Sequence, residues 1–192
     1  RKTELYGGAA SVVMPSRFID VSDFRPVPDH QEVFADISTD QSIIVEVLTR
    51  EDVPDDAAGR HFFDDLAGDN GAGSNDASID VCEVLPATLV PELLAHLPPG
   101  GAAPVVVGLR GRQRVSKFKE AAKNDVLIYM AVVRLEAQDT DILITMNAPT
   151  SLSPDSSSAK LFTAVEPEGT SSAAVFEAAV ASFHILNWGL FG

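Results

Sequence analysis

Cysteine, basic residues and long hydrophobic runs are all scarce in this sequence. The 192 residues include one cysteine, Cys82, so an internal disulfide is impossible and a reducing compartment is expected. Lysine and arginine together number 14 against 28 aspartates and glutamates, and the net charge of −14 disfavours electrostatic binding to nucleic acid or to an anionic membrane surface. No apolar run approaches the roughly 20 residues that a membrane-spanning helix needs. The composition therefore excludes a disulfide-built secreted domain and indicates neither a nucleic-acid nor a membrane partner.

The abundant acidic residues are unevenly distributed. Residues 1–80 carry 17 acids and 6 bases, whereas residues 81–192 carry 11 acids and 8 bases. Two interpretations stay open at this point: surface acids increase solubility, and a negative surface can also steer a basic partner to its binding site. The hydrophobic content of 45 % is that of an ordinary globular protein, so we expect residues 1–192 to form a single domain with its own core.

Alternating polarity predicts a sheet. Ser42–Leu48 is rich in β-branched residues, and residues 105–115 alternate in the same way. Residues 125–135 are apolar on both faces, and residues 139–147 follow after a connection of only three residues. A connection that short joins antiparallel neighbours, because a parallel crossover needs about a dozen residues. Residues 105–147 are therefore predicted to form an antiparallel meander.

Three helices are predicted to pack on this sheet. The first covers Asp55–Leu66, a short second one lies within Pro86–Leu97, and the last begins after a cap at Ser171 or Ser172. In the last helix the apolar residues recur at the spacing of one stripe facing a sheet. The expected fold class is α+β, a meander-rich antiparallel sheet with helices packed on its faces. For Lys117–Asn124, the sequence is compatible with either a helical turn or the end of a hairpin.

No constellation of residues predicts a catalytic, metal or cofactor site. The four histidines, His30, His61, His96 and His184, are far apart in the sequence, and no two of them have the i, i+4 spacing of a helical metal site, so zinc is not expected. Neither a glycine-rich phosphate loop nor a nucleophile elbow is present. Cys82 lies in an alternating, strand-like segment and is interpreted as a buried, unreactive thiol. We therefore expect no catalytic residue, no metal ligand and no cofactor.

One basic patch interrupts the acidic chain. Arg110, Arg112 and Arg114 share a strand face at a spacing of two, and three lysines follow within residues 117–123. Such a row fits either a charged sheet edge that prevents strand pairing between molecules or a complement to an acidic partner segment.

Residues 18–34 mix polarity in the way that is typical of a binding surface. The sequence FIDVSDFRPVPDHQEVF combines acidic side chains with phenylalanine, valine and isoleucine. Pro26 and Pro28 exclude a helix interior and favour extended backbone before them. A loop stiffened in this way loses little conformational entropy on binding. We therefore expect an interaction surface in this segment.

The same segment carries a resemblance to a known family. Residues 5–9 (LYGGA), 19–29 (IDVSDFRPVPD) and 31–34 (QEVF) resemble the Ran guanine-nucleotide release factor family. The likeness continues in order through later blocks: SIIVE at 42–46, HFFDDL at 61–66, TDILITMN at 140–147 with Pro149, Phe183–His184 and Leu190–Phe191. The resemblance implies a PsbP-like fold, in which helices pack on the faces of an antiparallel sheet.

The resemblance also implies a function. A family member would bind the small GTPase Ran, promote release of its guanine nucleotide and support nuclear protein import, acting in the nucleus and the cytoplasm. Such a protein is a regulator without covalent chemistry rather than an enzyme, and we expect a monomer. The alternative is an acidic scaffold that binds another basic partner.

The resemblance further indicates which residues would contact Ran. It places the binding surface on the acidic stretch after the opening Gly-Gly and on the strand that follows: Asp20, Asp23, Arg25, Asp29, Gln31, Glu32 and Glu46. Apolar and proline residues of the same loop complete the predicted surface: Phe24, Val27 and Pro28. The family has an acid three residues beyond the Glu46 position, where this chain has Thr49 followed by Arg50, Glu51 and Asp52, so that acid is either lost or shifted in register.

Overall fold

The computed structural model describes residues 1–116, 122–156 and 171–191, and a seven-stranded antiparallel sheet lies at its centre. Within these ranges the strands are β1 (Lys2–Leu5), β2 (Ala10–Val13), β3 (Phe18–Asp20), β4 (Gln31–Asp36), β5 (Ser42–Thr49), β6 (Ala77–Leu85), β7 (Val105–Val115), β8 (Asn124–Leu135), β9 (Thr140–Ser151) and β10 (His184–Ile185). The helices are α1 (Asp55–Asp69), α2 (Pro91–Ala95) and α3 (Ser172–Ser182). The large sheet has the order β3-β4-β5-β9-β8-β7-β6, and β1-β2-β10 form a small second sheet.

Strands β7, β8 and β9 form the predicted antiparallel meander. The turn between β8 and β9 is a single 3-10 turn, Glu136–Gln138, followed by Asp139 in a left-handed conformation with φ of 48°. β9 also pairs with β5, where Val45 lies opposite Ile144. Both faces of the central strands are covered, which explains why β8 is apolar on both sides. The predicted α+β class is confirmed.

Helix α1 covers one face of the sheet. It was predicted to end at Leu66 and continues to Asp69. Phe62 and Phe63 are buried against apolar side chains of the meander, in a core separate from that on the other face. A Cβ atom on Gly111 would lie 2.6 Å from the Phe63 ring, so the glycine lets the helix approach the sheet closely.

The opposite face is covered by α2, α3 and the small sheet. Ser171 caps α3 as predicted, because its hydroxyl accepts a hydrogen bond from the Ala174 amide at 3.3 Å. Val175 and Ala179 of α3 are buried in a core that also contains Phe34. The two faces of the large sheet thus carry two separate cores.

The second predicted helix, within Pro86–Leu97, is divided in two. A 3-10 turn covers Ala87–Leu89, and α2 begins at Pro91. Val90 between them has φ of −116° and ψ of 60°, outside the helical region, because proline disfavours helical backbone in the residue before it.

The arginine row lies on an interior strand, so its interpretation as a sheet edge is wrong. β7 lies between β6 and β8, and β6 is the edge strand. Arg112 Nε lies 3.1 Å from Asp80 Oδ2, and Arg110 Nε lies 3.6 Å from the same oxygen. Arg114 Nη1 lies 3.6 Å from Asp76 Oδ1. Acids on and beside the edge strand therefore pair with the row.

Cys82 is less buried than its strand-like segment predicts. Cys82 is partly exposed on β6 rather than buried, and burial of part of its side chain raises the pKa of the thiol.

Most of Lys117–Asn124 and of the predicted connection 151–172 lies outside the described residues. No helix in the described ranges is both long and apolar enough to cross a membrane.

Candidate functional site

The predicted contact residues meet at one end of the large sheet. Asp20 is the last residue of β3, Gln31 and Glu32 begin β4, and Glu46 lies opposite Gln31 on β5. The loop between β3 and β4 supplies the remainder: Asp23, Phe24, Arg25, Val27, Pro28 and Asp29. We call the carboxylates of this region the acidic end: Asp20, Asp23, Asp29, Glu32 and Glu46.

The pleat of β4 divides the acidic end between the two faces of the sheet. Gln31 and Glu46 are register partners on one face, and Gln31 Nε2 donates to Glu46 Oε1 at 2.6 Å. Asp20 pairs with Phe34, so Glu32, two residues before Phe34, shares the other face with Asp20. Negative charge therefore lies on both faces of this end of the sheet.

Backbone hydrogen bonds shape the β3–β4 loop. The Val21 amide donates to Val33 O at 2.9 Å, and the Phe24 amide donates to Val21 O at 3.0 Å. Asp20 Oδ1 accepts a hydrogen bond from the Ser22 amide at 2.8 Å, which closes the first turn of the loop. The loop is thus a defined scaffold for the side chains that it presents.

Phe24 projects from this scaffold into solvent. Its side chain is 74 % exposed, more than any other large apolar side chain in the described ranges. Asp23 and Asp29 of the same loop are exposed, and Val27 is half-buried. An exposed aromatic ring on a loop that also carries exposed acids is typical of a protein-binding surface.

Arg25, the base among the predicted contacts, lies against a cavity. With Val21 it lines a space of about 460 Å³ that extends to Asn70 at the end of α1 and to Asn147 on β9. The sequence placed Arg25 with the acids, whereas the structure places it at the margin between the loop and the α1 face.

Glu32 is tied to the turn that follows β1. Its Oε1 accepts a hydrogen bond from the Tyr6 amide at 2.5 Å, and Tyr6 has φ of 51°. The Tyr6 hydroxyl donates to Val45 O at 2.8 Å and lies 3.1 Å from His30 O. Tyr6 therefore links the small sheet to both β4 and β5. This contact was not predicted from the sequence, although the Tyr-Gly-Gly sequence, with Gly7 at φ of 63°, marks an unusual turn.

Burial and mutual repulsion perturb the ionisable groups of this contact. Burial raises the pKa of Glu32, and the charge of Asp20 raises it further against the opposing effect of the Tyr6 amide. Burial and the charges of Glu32 and Glu46 also raise the pKa of the Tyr6 phenol. Glu32 and Glu46 therefore act electrostatically on Tyr6, and Asp20 acts on Glu32.

Thr49, at the position of the expected additional acid, is exposed at the end of β5. Glu51 belongs to the next loop, where its carboxylate lies 3.8 Å from His61 Nε2. Its backbone amide donates to Asp141 Oδ2 at 3.0 Å. Glu51 is thus held toward α1.

Known proteins resemble this chain over most of its length. The family model described as Ran-interacting Mog1 protein matches residues 3–149, which include the whole acidic end. A Ran guanine nucleotide release factor of Danio rerio is 40 % identical over 98 % of this chain and 98 % of its own length. A nuclear import protein mog1 of Schizosaccharomyces pombe is 30 % identical over 76 % of this chain and 75 % of its own length.

A solved structure shows the same fold. The crystal structure of the Saccharomyces cerevisiae Ran-binding protein Mog1p matches 100 % of this chain and 98 % of its own, with a TM-score of 0.68 and 26 % identity. The resemblance identified from the sequence is confirmed by these matches. The chain belongs to the Ran-interacting Mog1 protein family.

Proposed function

We propose that this protein binds the small GTPase Ran through the acidic end and promotes release of the guanine nucleotide from Ran. It would act as a regulator without covalent chemistry. Its family and the names of its relatives support the partner. The structural observation that carries the proposal is the convergence of the predicted contact residues at one end of the sheet.

The first step is electrostatic attraction between the acidic end and basic groups of the partner. Asp23 and Asp29 are exposed, and no hydrogen bond or ion pair occupies their carboxylates within the described part of the chain. They can therefore pair with basic groups of a partner without first breaking a contact. Complementary charge accelerates encounter and fixes orientation more than it adds affinity.

Phe24 supplies the second step, anchoring. Burying an aromatic side chain that is 74 % exposed removes a large apolar area from water, and the ordered loop limits the entropy lost on binding. Aromatic anchors surrounded by polar residues commonly dominate the energy of an interface.

Differential binding supplies the third step, nucleotide release. A GTPase holds its phosphates with a lysine, backbone amides and Mg²⁺. Carboxylates that pair with those basic groups compete with the phosphates, so the complex is more stable with the nucleotide-free state. By linkage, a protein that binds the empty state more tightly lowers the affinity for nucleotide by the same factor.

Release of a fluorescent guanine nucleotide from Ran tests the proposal. Wild-type protein is expected to accelerate release in a saturable manner. Asp29→Lys and Glu46→Lys are each expected to slow the stimulated release at least tenfold at subsaturating concentration, which corresponds to about 1.4 kcal/mol of lost interaction. Increasing salt is expected to weaken binding of the wild-type protein, since exposed charge pairs are screened.

Asp64→Lys is the matched control. Asp64 is an exposed acid on α1, outside the acidic end, and its replacement changes net charge by the same amount. It is expected to leave the release rate within about twofold of wild type, because distant surface charges are screened. Unchanged release with both variants of the acidic end would refute the proposed surface. Binding of another basic protein, with no effect on Ran, would favour an acidic scaffold.

The proposal also includes the cellular location of the protein and its oligomeric state. The Schizosaccharomyces pombe relative is named a nuclear import protein, which supports a role of this chain in nuclear import and its presence in the nucleus. We propose that the protein is also present in the cytoplasm. The expectation of a monomer stays a prediction, and size-exclusion chromatography with light scattering measures it directly.

A further inference from the structure

Three side chains that are distant in the sequence form a compact cluster beside α2. Glu92 belongs to α2, His96 follows that helix directly, and His184 begins β10. Each offers one potential ligand atom, and the three atoms lie within 4.8 Å of one another. The ring centroids of His96 and His184 are 4.0 Å apart. Two imidazoles and one carboxylate so placed form a donor set suited to a single metal ion.

The fold positions the cluster through two separate segments. Glu92 and His96 are four residues apart, so the turn of α2 brings them to one side. The indole Nε1 of Trp188 donates to His96 O at 3.1 Å. Strand pairing places His184 opposite Ser11 of β2. The spacing among the histidines does not indicate this cluster, whereas the i, i+4 spacing of Glu92 and His96 indicates half of it.

A hydrogen bond indicates which nitrogen of His96 is free to bind a cation. His96 Nδ1 lies 2.8 Å from Glu92 O. When the single proton of the neutral imidazole is on Nδ1 and is donated to this carbonyl, the lone pair of Nε2 is available to a cation. A backbone carbonyl on the second ring nitrogen is a common arrangement for metal-binding histidines.

The types of donor atom indicate which class of cation the cluster can bind. Imidazole nitrogen combined with carboxylate oxygen suits Zn²⁺ and similar divalent ions, whereas Mg²⁺ and Ca²⁺ prefer oxygen donors alone. Tetrahedral coordination with bonds of about 2.1 Å separates ligand atoms by about 3.4 Å, so these atoms would have to approach by at most about 1.4 Å. Glu92 and His96 are exposed, and rotation of their side chains supplies that movement.

We propose that Glu92, His96 and His184 form a binding site for one zinc-class divalent cation. None of the three belongs to the acidic end. His184 is partly buried, whereas Glu92 and His96 are exposed, so a cation can reach the site from solvent.

Calorimetric titration of the full chain with Zn²⁺ tests the proposal, and Co²⁺ serves as a spectroscopic probe. Wild-type protein is expected to bind one ion per chain, with the intense visible absorption of tetrahedral Co²⁺. His96→Gln and His184→Gln are each expected to weaken binding at least tenfold and to remove that absorption. Zn²⁺ should raise the Tm of the wild type and leave that of His96→Gln unchanged.

His61→Gln is the matched control, because His61 also faces two carboxylates, those of Glu51 and Asp65, at 3.8 and 3.5 Å. It is expected to leave affinity and absorption unchanged. Circular dichroism checks the fold of each variant, and His96, being exposed, is the substitution least able to disturb it. No saturable binding at millimolar Zn²⁺, or binding that survives both substitutions together, would overturn the proposal.

Discussion

Replacing Arg134 is expected to destabilise the protein more than any surface substitution. Its side chain is only 1 % exposed, and Nε donates to Asp141 Oδ1 at 3.0 Å, where Asp141 is fully buried. The guanidinium also donates to Asp55 Oδ1 at 2.8 Å, Val53 O at 2.7 Å and Glu51 O at 2.5 Å. One side chain thus ties β8 and β9 to the segment that leads into α1.

The expected loss in the free energy of unfolding follows from the buried carboxylate that Arg134→Met leaves without its ion-pair partner. Asp141 keeps one hydrogen bond, from the Glu51 amide, but loses the charge that balances it. Removing one partner of a buried ion pair costs about 3–5 kcal/mol, a large fraction of the 5–15 kcal/mol that stabilises a typical domain. With a urea m-value of about 2 kcal/mol/M, the unfolding midpoint should fall by about 1.5–2.5 M.

Urea unfolding followed by circular dichroism measures the change against a matched control. Arg114→Met removes an arginine that is 59 % exposed and also faces two acids, and it is expected to cost less than about 1 kcal/mol. The double variant Arg134→Met with Asp141→Leu leaves neither member of the pair and should regain at least half of the loss. A cost below about 1 kcal/mol for Arg134→Met would refute the reasoning.

Two further predictions concern packing and pH. Gly111→Ala should cost about 1–3 kcal/mol in urea unfolding, because its Cβ would lie 2.6 Å from the Phe63 ring and 2.8 Å from a backbone oxygen; an unchanged midpoint would contradict the packing argument. Burial alone would raise the pKa of Asp36, but hydrogen bonds from Ser38, Thr39 and Arg17 lower it. The stability that it contributes is therefore present above its unfolded pKa of about 3.9 and is lost as the pH falls through the lower folded pKa. Asp36→Asn should lower Tm at pH 7 and flatten its decline in acid; a Tm equal to wild type at pH 7 would exclude this role.

The sequence was most informative where structure is local. The strand beginning at Ser42 and the cap at Ser171 follow from period, β-branching and a hydroxyl before an apolar stripe. The predicted end of α1 was less accurate, because packing on the sheet, and not helix propensity, sets the last turn of this helix.

Contacts between distant segments could not be predicted. The sequence does not state that Glu32 accepts a hydrogen bond from the Tyr6 amide or that His96 meets His184, because strand order decides both. Strand order also decides the position of the arginine row that includes Arg112. Because β6 forms the edge of the sheet, the row on β7 lies on an interior strand. The residues of the acidic end were predicted individually through a resemblance, but their division between two faces required the register of β4.

The order of strands in the large sheet has a consequence for biosynthesis. All carboxylates of the acidic end are translated by residue 46, yet β5 receives its second neighbour only when β9 emerges, with Glu46 opposite Leu143. The small sheet closes later still, when His184 pairs with Ser11. Pairings with such high contact order form slowly, since long loops must close first. A nascent chain therefore displays its acidic sequence on the ribosome well before it can present a folded surface, and that surface is expected to form only after β9 and β10 have emerged.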